Sequence, residues 1–342
     1  MNMSVRHQYI ERDSGAIRTE QLYGDKFIKI LYNGVRENAP LLFRLCTGAH
    51  ASSLLGLINF NTPLATGLAG NRRFLADCGV DLGECLHSPE FFDTPRKVFE
   101  RQIRYWECRP MHAGPGAVVS PADARVLVGS FRTSSMLFLK EKFFDFEEFL
   151  GRDKHTWLTA FAGGDFAVFR LTPDKYHHNH VPVAGIVADI YEIAGGYHSC
   201  NPGAVVEVVT PYSKNKRVVT IIDTDVPNGT GVGLVAMVEV VALMIGEIVQ
   251  CYSAERYDNP LPVGKGMFLA KGQPKSLYRP GSSTDVLIFQ QGRVNFAEDL
   301  VRNMNNANVE SRFSLGFGKP LIETDIKVRS LIAAAQGIER GT

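Results

Sequence analysis

The chain has 342 residues, of which 37 are Lys or Arg and 36 Asp or Glu, leaving a net charge of +1. Such a length buries a large core in one or two domains, and a near-neutral balance argues against a polyanionic partner such as a nucleic acid. A hydrophobic content of 45% is that of a soluble globular protein.

The opening stretch MNMSVRHQYIERDSGAI carries no apolar run of the secretory type. Residues 1 to about 110 read as mainly helical. LLFRLCTGAHASSLLGLI and SPEFFDTPRKVFERQIRYW place apolar residues three and four apart. Ser88 is the expected N-cap of the second stretch, with Pro89 in its first turn. After His112 the pattern changes. AVVSPADARVLVGSF, FAVFRLTP, VPVAGIVADIYEI, AVVEVVTPY and RVVTIIDTDV are short β-branched segments broken by Gly, Pro, Asn and Asp, and read as strands. VGLVAMVEVVALMIGEIV, residues 232–249, is long enough to suggest a membrane span. Glu239 at its centre makes that costly, and its valines favour a buried strand. EDLVRNMNNA and IKVRSLIAAAQ read as returning helices. The expected fold is therefore α+β, an N-terminal helical layer (1–110) packed on a mostly antiparallel β core (111–342), in a single domain.

Cys46, Cys78, Cys85, Cys108, Cys200 and Cys251 form no CxxC pair, which points to reduced thiols in a cytoplasmic setting. Four polar clusters interrupt the apolar strands. They are Ser120-Pro121-Ala122-Asp123, the run Asp174 to His180, the run Gly195 to Pro202, and Gly281-Ser282-Ser283-Thr284. The last, by composition, is a turn leading into a strand. The second holds His177, His178 and His180. A structural zinc site needs four donors, and the cysteines are not spaced to supply them, so no metal is expected. Imidazoles titrate near neutrality, so acid-base work is the better reading of the cluster.

In order along the chain, these segments resemble the phosphatidylserine decarboxylase family of pyruvoyl-dependent enzymes. SPAD at 120–123 resembles the family's SPxDG, and RLTPDKYHHNHVPVAG at 170–185 its L-x-P-x-D-Y-H-x-x-H-x-P-x-x-G. YHSCNP at 197–202 resembles YxVNP, NKRVV at 215–219 resembles N-[EK]-R-V-V, and VEVVALMIGEI at 238–248 resembles V-x-V-G-A-x-x-V-G-S-I. KGQPKSLYRPGSSTDVLIF at 271–289 resembles the self-cleaving K-G-x-x-x-G-x-F-x-F-G-G-S-T-x-x-x-x-F. GAIRTEQLYGDKFIKILY near the start is similar to the family's N-terminal region.

The resemblance implies cleavage between residues 282 and 283, with a pyruvoyl group formed from Ser283. A register set on Lys271-Gly272 and a shorter motif form would make Ser282 the reactive serine instead. His180 is the implied base for cleavage, with Asp123 holding its tautomer and charge. His177 is the implied acid in decarboxylation, which proceeds through a Schiff base on the pyruvoyl carbonyl. Tyr176, His178 and His198 are expected to line the pocket. The two cleaved chains are expected to stay associated. The substrate class is an amine-bearing carboxylate: phosphatidylserine by family, or a free amino acid of the tryptophan kind. A peripheral membrane contact would run through LLFRL and SLLGLINF, stretches that read equally as helical core, and a homo-oligomer is left open. A relative that never matures and only binds is the non-enzymatic reading. Ala124, His198, Glu247, Arg279-Pro280 and Ser282 depart from the family pattern. Those changes fall near the expected pocket, so they bear on the substrate.

Overall fold

The computed structural model describes residues 6–20, 79–132, 145–199, 201–207, 211–242, 247–281 and 283–337. The helix expected from LLFRLCTGAHASSLLGLI lies outside them. Among the described residues, sixteen strands follow one another. They are β1 (Gln8–Glu11), β2 (Ile17–Thr19), β3 (Ala117–Val119), β4 (Ala124–Ser130), β5 (Asp165–Leu171), β6 (His178–His180), β7 (Gly185–Ile193) and β8 (Arg217–Asp223). Then come β9 (Leu234–Val241), β10 (Ile248–Gln250), β11 (Phe268–Leu269), β12 (Pro274–Tyr278), β13 (Ser283–Phe289), β14 (Val294–Phe296), β15 (Glu323–Ile326) and β16 (Leu331–Ala335).

Ten of them form one sheet, ordered β11-β7-β8-β9-β13-β5-β4-β15-β1-β2. Every pairing in it is antiparallel except β1 with β15. Two three-stranded sheets, β10-β12-β6 and β14-β16-β3, complete the β structure. The fold is α+β, as expected. β5, β9 and β13 stand side by side in the large sheet and are buried almost throughout. Strands covered on both faces need near-continuous apolar runs, and VAMV and VLIF supply them. The stretch 232–249 thus contributes the buried strand β9 and the short β10. No helix among the described residues is long and apolar enough to cross a membrane.

Four segments differ from the sequence-based expectation. Residues 8–19 form a hairpin at the sheet edge, closed by Gly15 N–H to Glu11 O at 2.8 Å. In place of one long helix, 88–106 breaks into a 3-10 turn (Pro89–Phe91) and the helices α1 (Pro95–Phe99) and α2, which starts at Tyr105 (Tyr105–Cys108). Ser88 sits at the N-cap position but makes no capping bond; Thr94, just before Pro95, accepts from Lys97 N–H at 3.3 Å. AVVEVVTPY opens within the helix Pro202–Glu207. IKVRSLIAAAQ is strand instead of helix: β15 ends at Ile326, Arg329 turns the chain at φ +71°, and β16 pairs with β3 and β14. Alanine's helix preference is worth tenths of a kcal/mol per residue, about what one pairing interaction outweighs.

Candidate active site

Ser283 is the first residue of β13. It stands opposite Leu171 of β5 and Val241 of β9. It is 1% exposed, and its Oγ has no hydrogen-bond partner among the described residues. Gly281, two residues earlier, has φ +152°, a conformation in which glycine is favoured. A position that favours glycine thus stands two residues before the buried strand that Ser283 opens. Alternate residues of a strand share a face. Ser283 and Asp285 thus point to the same side, with Glu239 directly opposite Asp285 on β9.

The small sheet β10-β12-β6 covers that face. From it Lys275 reaches Glu239 Oε2 at 2.7 Å and Asn179 reaches Glu239 Oε1 at 3.2 Å. Ser276 Oγ donates to the same carboxylate, and Gln250 Nε2 does so at 2.9 Å. Burial alone would push the Glu239 carboxyl up. The Lys275 ammonium outweighs it, with the Ser276 and Gln250 donors, and holds the group below the usual carboxylate range. Asp285 has no such cation. Burial and the facing Glu239 charge hold it well above its ordinary value, so it is a neutral acid, with Oδ1 2.7 Å from Tyr278 Oη.

The histidines lie on and beside β6, which begins seven residues after Leu171. The strand that carries them, β6, pairs with β12, the strand that leads to Ser283. His180 Nδ1 faces Gly272 O at 2.9 Å. A carbonyl only accepts, so Nδ1 carries the proton and Nε2 keeps its lone pair. That lone pair meets the Tyr176 hydroxyl at 2.9 Å, and Tyr176 Oη lies 2.7 Å from Tyr257 Oη. The Gly272 carbonyl is presented by a backbone at φ +78°, where a Cβ would come within 2.3 Å of Met111 Sδ. His177 Nδ1 likewise donates to Lys175 O at 2.7 Å. Its Nε2 is buried without a hydrogen-bond partner among the described residues, and its ring stacks on Phe99 at 3.5 Å. Burial pushes His178 down to about 4 and His180 down to about 3, and pushes His177 well below its ordinary value. All three are neutral at pH 7. A neutral imidazole with a free Nε2 is ready to take a proton.

Asp123 is placed differently from the expected triad. Its carboxylate is held by the Arg109 guanidinium, Nε at 3.0 Å from Oδ1 and Nη2 at 2.8 Å from Oδ2, and by Val328 N–H at 2.8 Å. Burial raises the carboxyl, and Arg109 outweighs it to leave the group below its ordinary value. The Gly272 carbonyl, not Asp123, fixes the His180 tautomer. The two remain neighbours in the fold, because His180 N–H donates to Pro121 O at 2.7 Å. Arg109 was not legible in the sequence, since nothing local marks an arginine fourteen residues from its partner.

Tyr176 is brought onto His180, and His178 stacks on Tyr176 at 5.3 Å between ring centres. His198 follows β7, close to the bridge between Gly196 and Asn215. Its carbonyl accepts from Asn215 Nδ2, which also donates to Val241 O, beside Ser283's cross-strand partner position. Ser282 lies outside the described residues. Tyr105 meets the His180 ring edge-on at 4.7 Å, and nothing local in the sequence marks it.

A comparison with known families decides the affiliation. The profile of the phosphatidylserine decarboxylase family matches residues 96–314. The chain belongs to the phosphatidylserine decarboxylase family. It is 28% identical over 310 residues to the phosphatidylserine decarboxylase proenzyme of Fusobacterium nucleatum, covering 90% of this chain and 95% of that one. The corresponding proenzyme of Clostridium tetani is 25% identical over 316 residues, with 90% and 96% covered. That of Bordetella petrii is 30% identical over 239 residues, with 66% and 79% covered. Membership makes this chain a carboxy-lyase. Against the family motif, Tyr278 stands where phenylalanine is usual and Ser276 where glycine is usual.

Proposed function

We propose that this family member cuts itself before Ser283, forms a pyruvoyl group there, and decarboxylates phosphatidylserine to phosphatidylethanolamine. The observation that carries the reading is the buried Ser283 Oγ, unpartnered among the described residues, at the mouth of β13 under the histidine-bearing sheet. An orphaned buried hydroxyl costs stability, about 1–3 kcal/mol, and in a native structure calls for an explanation.

In the cleavage step, Ser283 Oγ attacks the carbonyl carbon of residue 282. His180 Nε2 takes the hydroxyl proton once Tyr176 yields that position. The C–N bond breaks and an ester forms between residue 282 and Oγ. Loss of the Cα proton then expels the residue-282 carboxylate and leaves dehydroalanine. Water converts this to the pyruvoyl carbonyl and releases ammonia. The chain divides into residues 1–282 and 283–342.

The pyruvoyl group supplies an electrophilic carbonyl that takes up the substrate amine and draws electrons as CO2 departs. The residues here suit it, because residue 283 is buried and the strand leading to it pairs with the histidine-bearing β6. His177 Nε2, unprotonated at rest, takes a proton from the substrate ammonium as it enters and returns it to the substrate carbon. His178 and Tyr176 wall the pocket, His198 flanks it, and Asp123 with Arg109 braces the turn behind His180. A membrane-surface contact brings the lipid to the site.

Intact mass under denaturing conditions tests the first step. Two chains, the smaller blocked at residue 283, are expected. A single chain of 37.8 kDa overturns the reading. Release of CO2 from phosphatidylserine in mixed micelles, with free tryptophan as the competing substrate, tests the second.

A further inference from the structure

The hydroxyl of Tyr278 joins both sides of the proposed cut. Tyr278 lies in the part that becomes the larger chain, five residues before Ser283. Its Oη accepts from Val240 N–H at 3.1 Å and lies 3.0 Å from Thr284 O and 2.7 Å from Asp285 Oδ1. Val240 and Thr284 are directly opposite each other on β9 and β13. The hydroxyl therefore spans the second rung of the strand that begins at Ser283.

One hydroxyl proton cannot serve two acceptors. The Thr284 carbonyl only accepts, so Oη–H goes there. Asp285, a neutral acid, can donate where the carbonyl cannot, so with its O–H given to Oη both contacts are served. The surroundings agree, for Asp285 faces the Glu239 carboxylate, whose partner cation Lys275 is engaged with it at 2.7 Å. Tyr278 is also tied to the histidine segment, through its N–H to His177 O at 3.1 Å. On the far side, Arg279 anchors the same segment by Nη1 to Glu100 Oε2 at 2.7 Å and by its N–H to Glu247 O at 2.8 Å.

We propose that Tyr278 and Asp285 form a clasp across the cleavage point, which holds the new amino-terminal end of the smaller chain in register once the covalent link is gone. The inference rests on the self-cleavage reading above. It concerns positioning residues, since neither group is assigned a reacting atom. A strand that has lost its covalent lead-in frays at its first residues unless side chains tie it down. Residue 283 carries the reactive carbonyl, and a displacement of about 1 Å there is costly in rate, up to roughly a hundredfold. The family's usual phenylalanine cannot make these bonds, so the clasp is a feature of this chain.

The test compares wild type, Tyr278→Phe, Asp285→Asn and Asp285→Leu. Intact mass gives the fraction cleaved. Hydrogen exchange gives protection at residues 284–286, and decarboxylation of phosphatidylserine in mixed micelles gives kcat and KM. Tyr278→Phe and Asp285→Leu are expected to cleave within about twofold of wild type, to lose protection about tenfold, and to lose kcat about tenfold with KM little changed. Asp285→Asn is expected to restore both, because its amide N–H replaces the acid's O–H as donor to Tyr278. Wild-type protection and kcat in Tyr278→Phe would overturn the clasp, as would an Asn variant as impaired as the Leu variant. If Tyr278→Phe does not fold, the Asn-against-Leu comparison at position 285 decides the same point. A wild-type chain that stays whole overturns the self-cleavage reading itself, and the mass spectrum separates that result from failure of the clasp alone.

Discussion

Replacing Lys275 by methionine removes the cation that neutralises Glu239. Both side chains are fully buried, 2.7 Å apart, with Gln250, Ser276 and Asn179 completing the carboxylate's shell. Breaking one side of a buried pair strands the other charge, at a cost of about 3–5 kcal/mol. That is a large fraction of a typical stability of about 5–15 kcal/mol. The pH dependence should also reverse. In the native chain Glu239 is held below its ordinary value, so its contribution is present above pH 4.5 and fades as pH falls through the folded value. Without Lys275 the folded value rises above that of the unfolded chain. The folded state then binds a proton the unfolded state lacks, and the deficit grows with pH by up to about 1.4 kcal/mol per unit. Urea unfolding of Lys275→Met, in a Ser283→Ala background that keeps the chain whole, measures both effects. Lys275→Met/Glu239→Leu should recover most of the loss, because an apolar pair of similar volume leaves no buried charge. A deficit under about 1 kcal/mol, a deficit independent of pH, or no recovery in the double variant would refute the reasoning.

Ser283→Ala should remain a single chain by mass, without decarboxylation; a cut product would shift the nucleophile to Ser282. His180→Ala should slow cleavage by about 10²-fold or more, whereas His177→Ala should cleave and then lose CO2 release, as time-resolved mass spectrometry and a CO2 assay would show. His178 at about 4 and His180 at about 3 lie below the unfolded histidine value, so the unfolded chain takes up protons that the folded chain refuses. Their contribution is whole above that unfolded value and drains as pH falls below it, by about 3 kcal/mol per unit for the two near pH 5; calorimetry of the Ser283→Ala chain in two buffers would detect the uptake, and none would contradict the neutral assignment. Pelleting with anionic phosphatidylglycerol vesicles should carry the protein down, and its absence would leave the lipid-surface contact without support.

The sequence by itself determined the α+β class, the buried strands around Ser283 and Glu239, and the ordered polar clusters that mark the family. Those signals are local. Continuous β-branched runs specify strands covered on both faces, and a serine after a glycine turn is visible in four residues. Pairing that spans the chain was not visible. IKVRSLIAAAQ has helix-forming alanines, yet β3 and β14 offer it strand edges from residues 117–119 and 294–296, and backbone pairing outweighs the small local preference. Asp123 looked like the partner of His180, because both clusters are polar and the family motif joins them. Only the fold brings Arg109 to that carboxylate and the Gly272 carbonyl to the imidazole. Tyr278 reads locally as an ordinary strand residue. Its hydroxyl acquires a role because the small sheet lays it over the rung between Val240 and Thr284, beside an acid that burial and a facing carboxylate keep neutral. Charge state in a buried site depends on every group packed against it, and the chain's order does not set that packing until the sheets close.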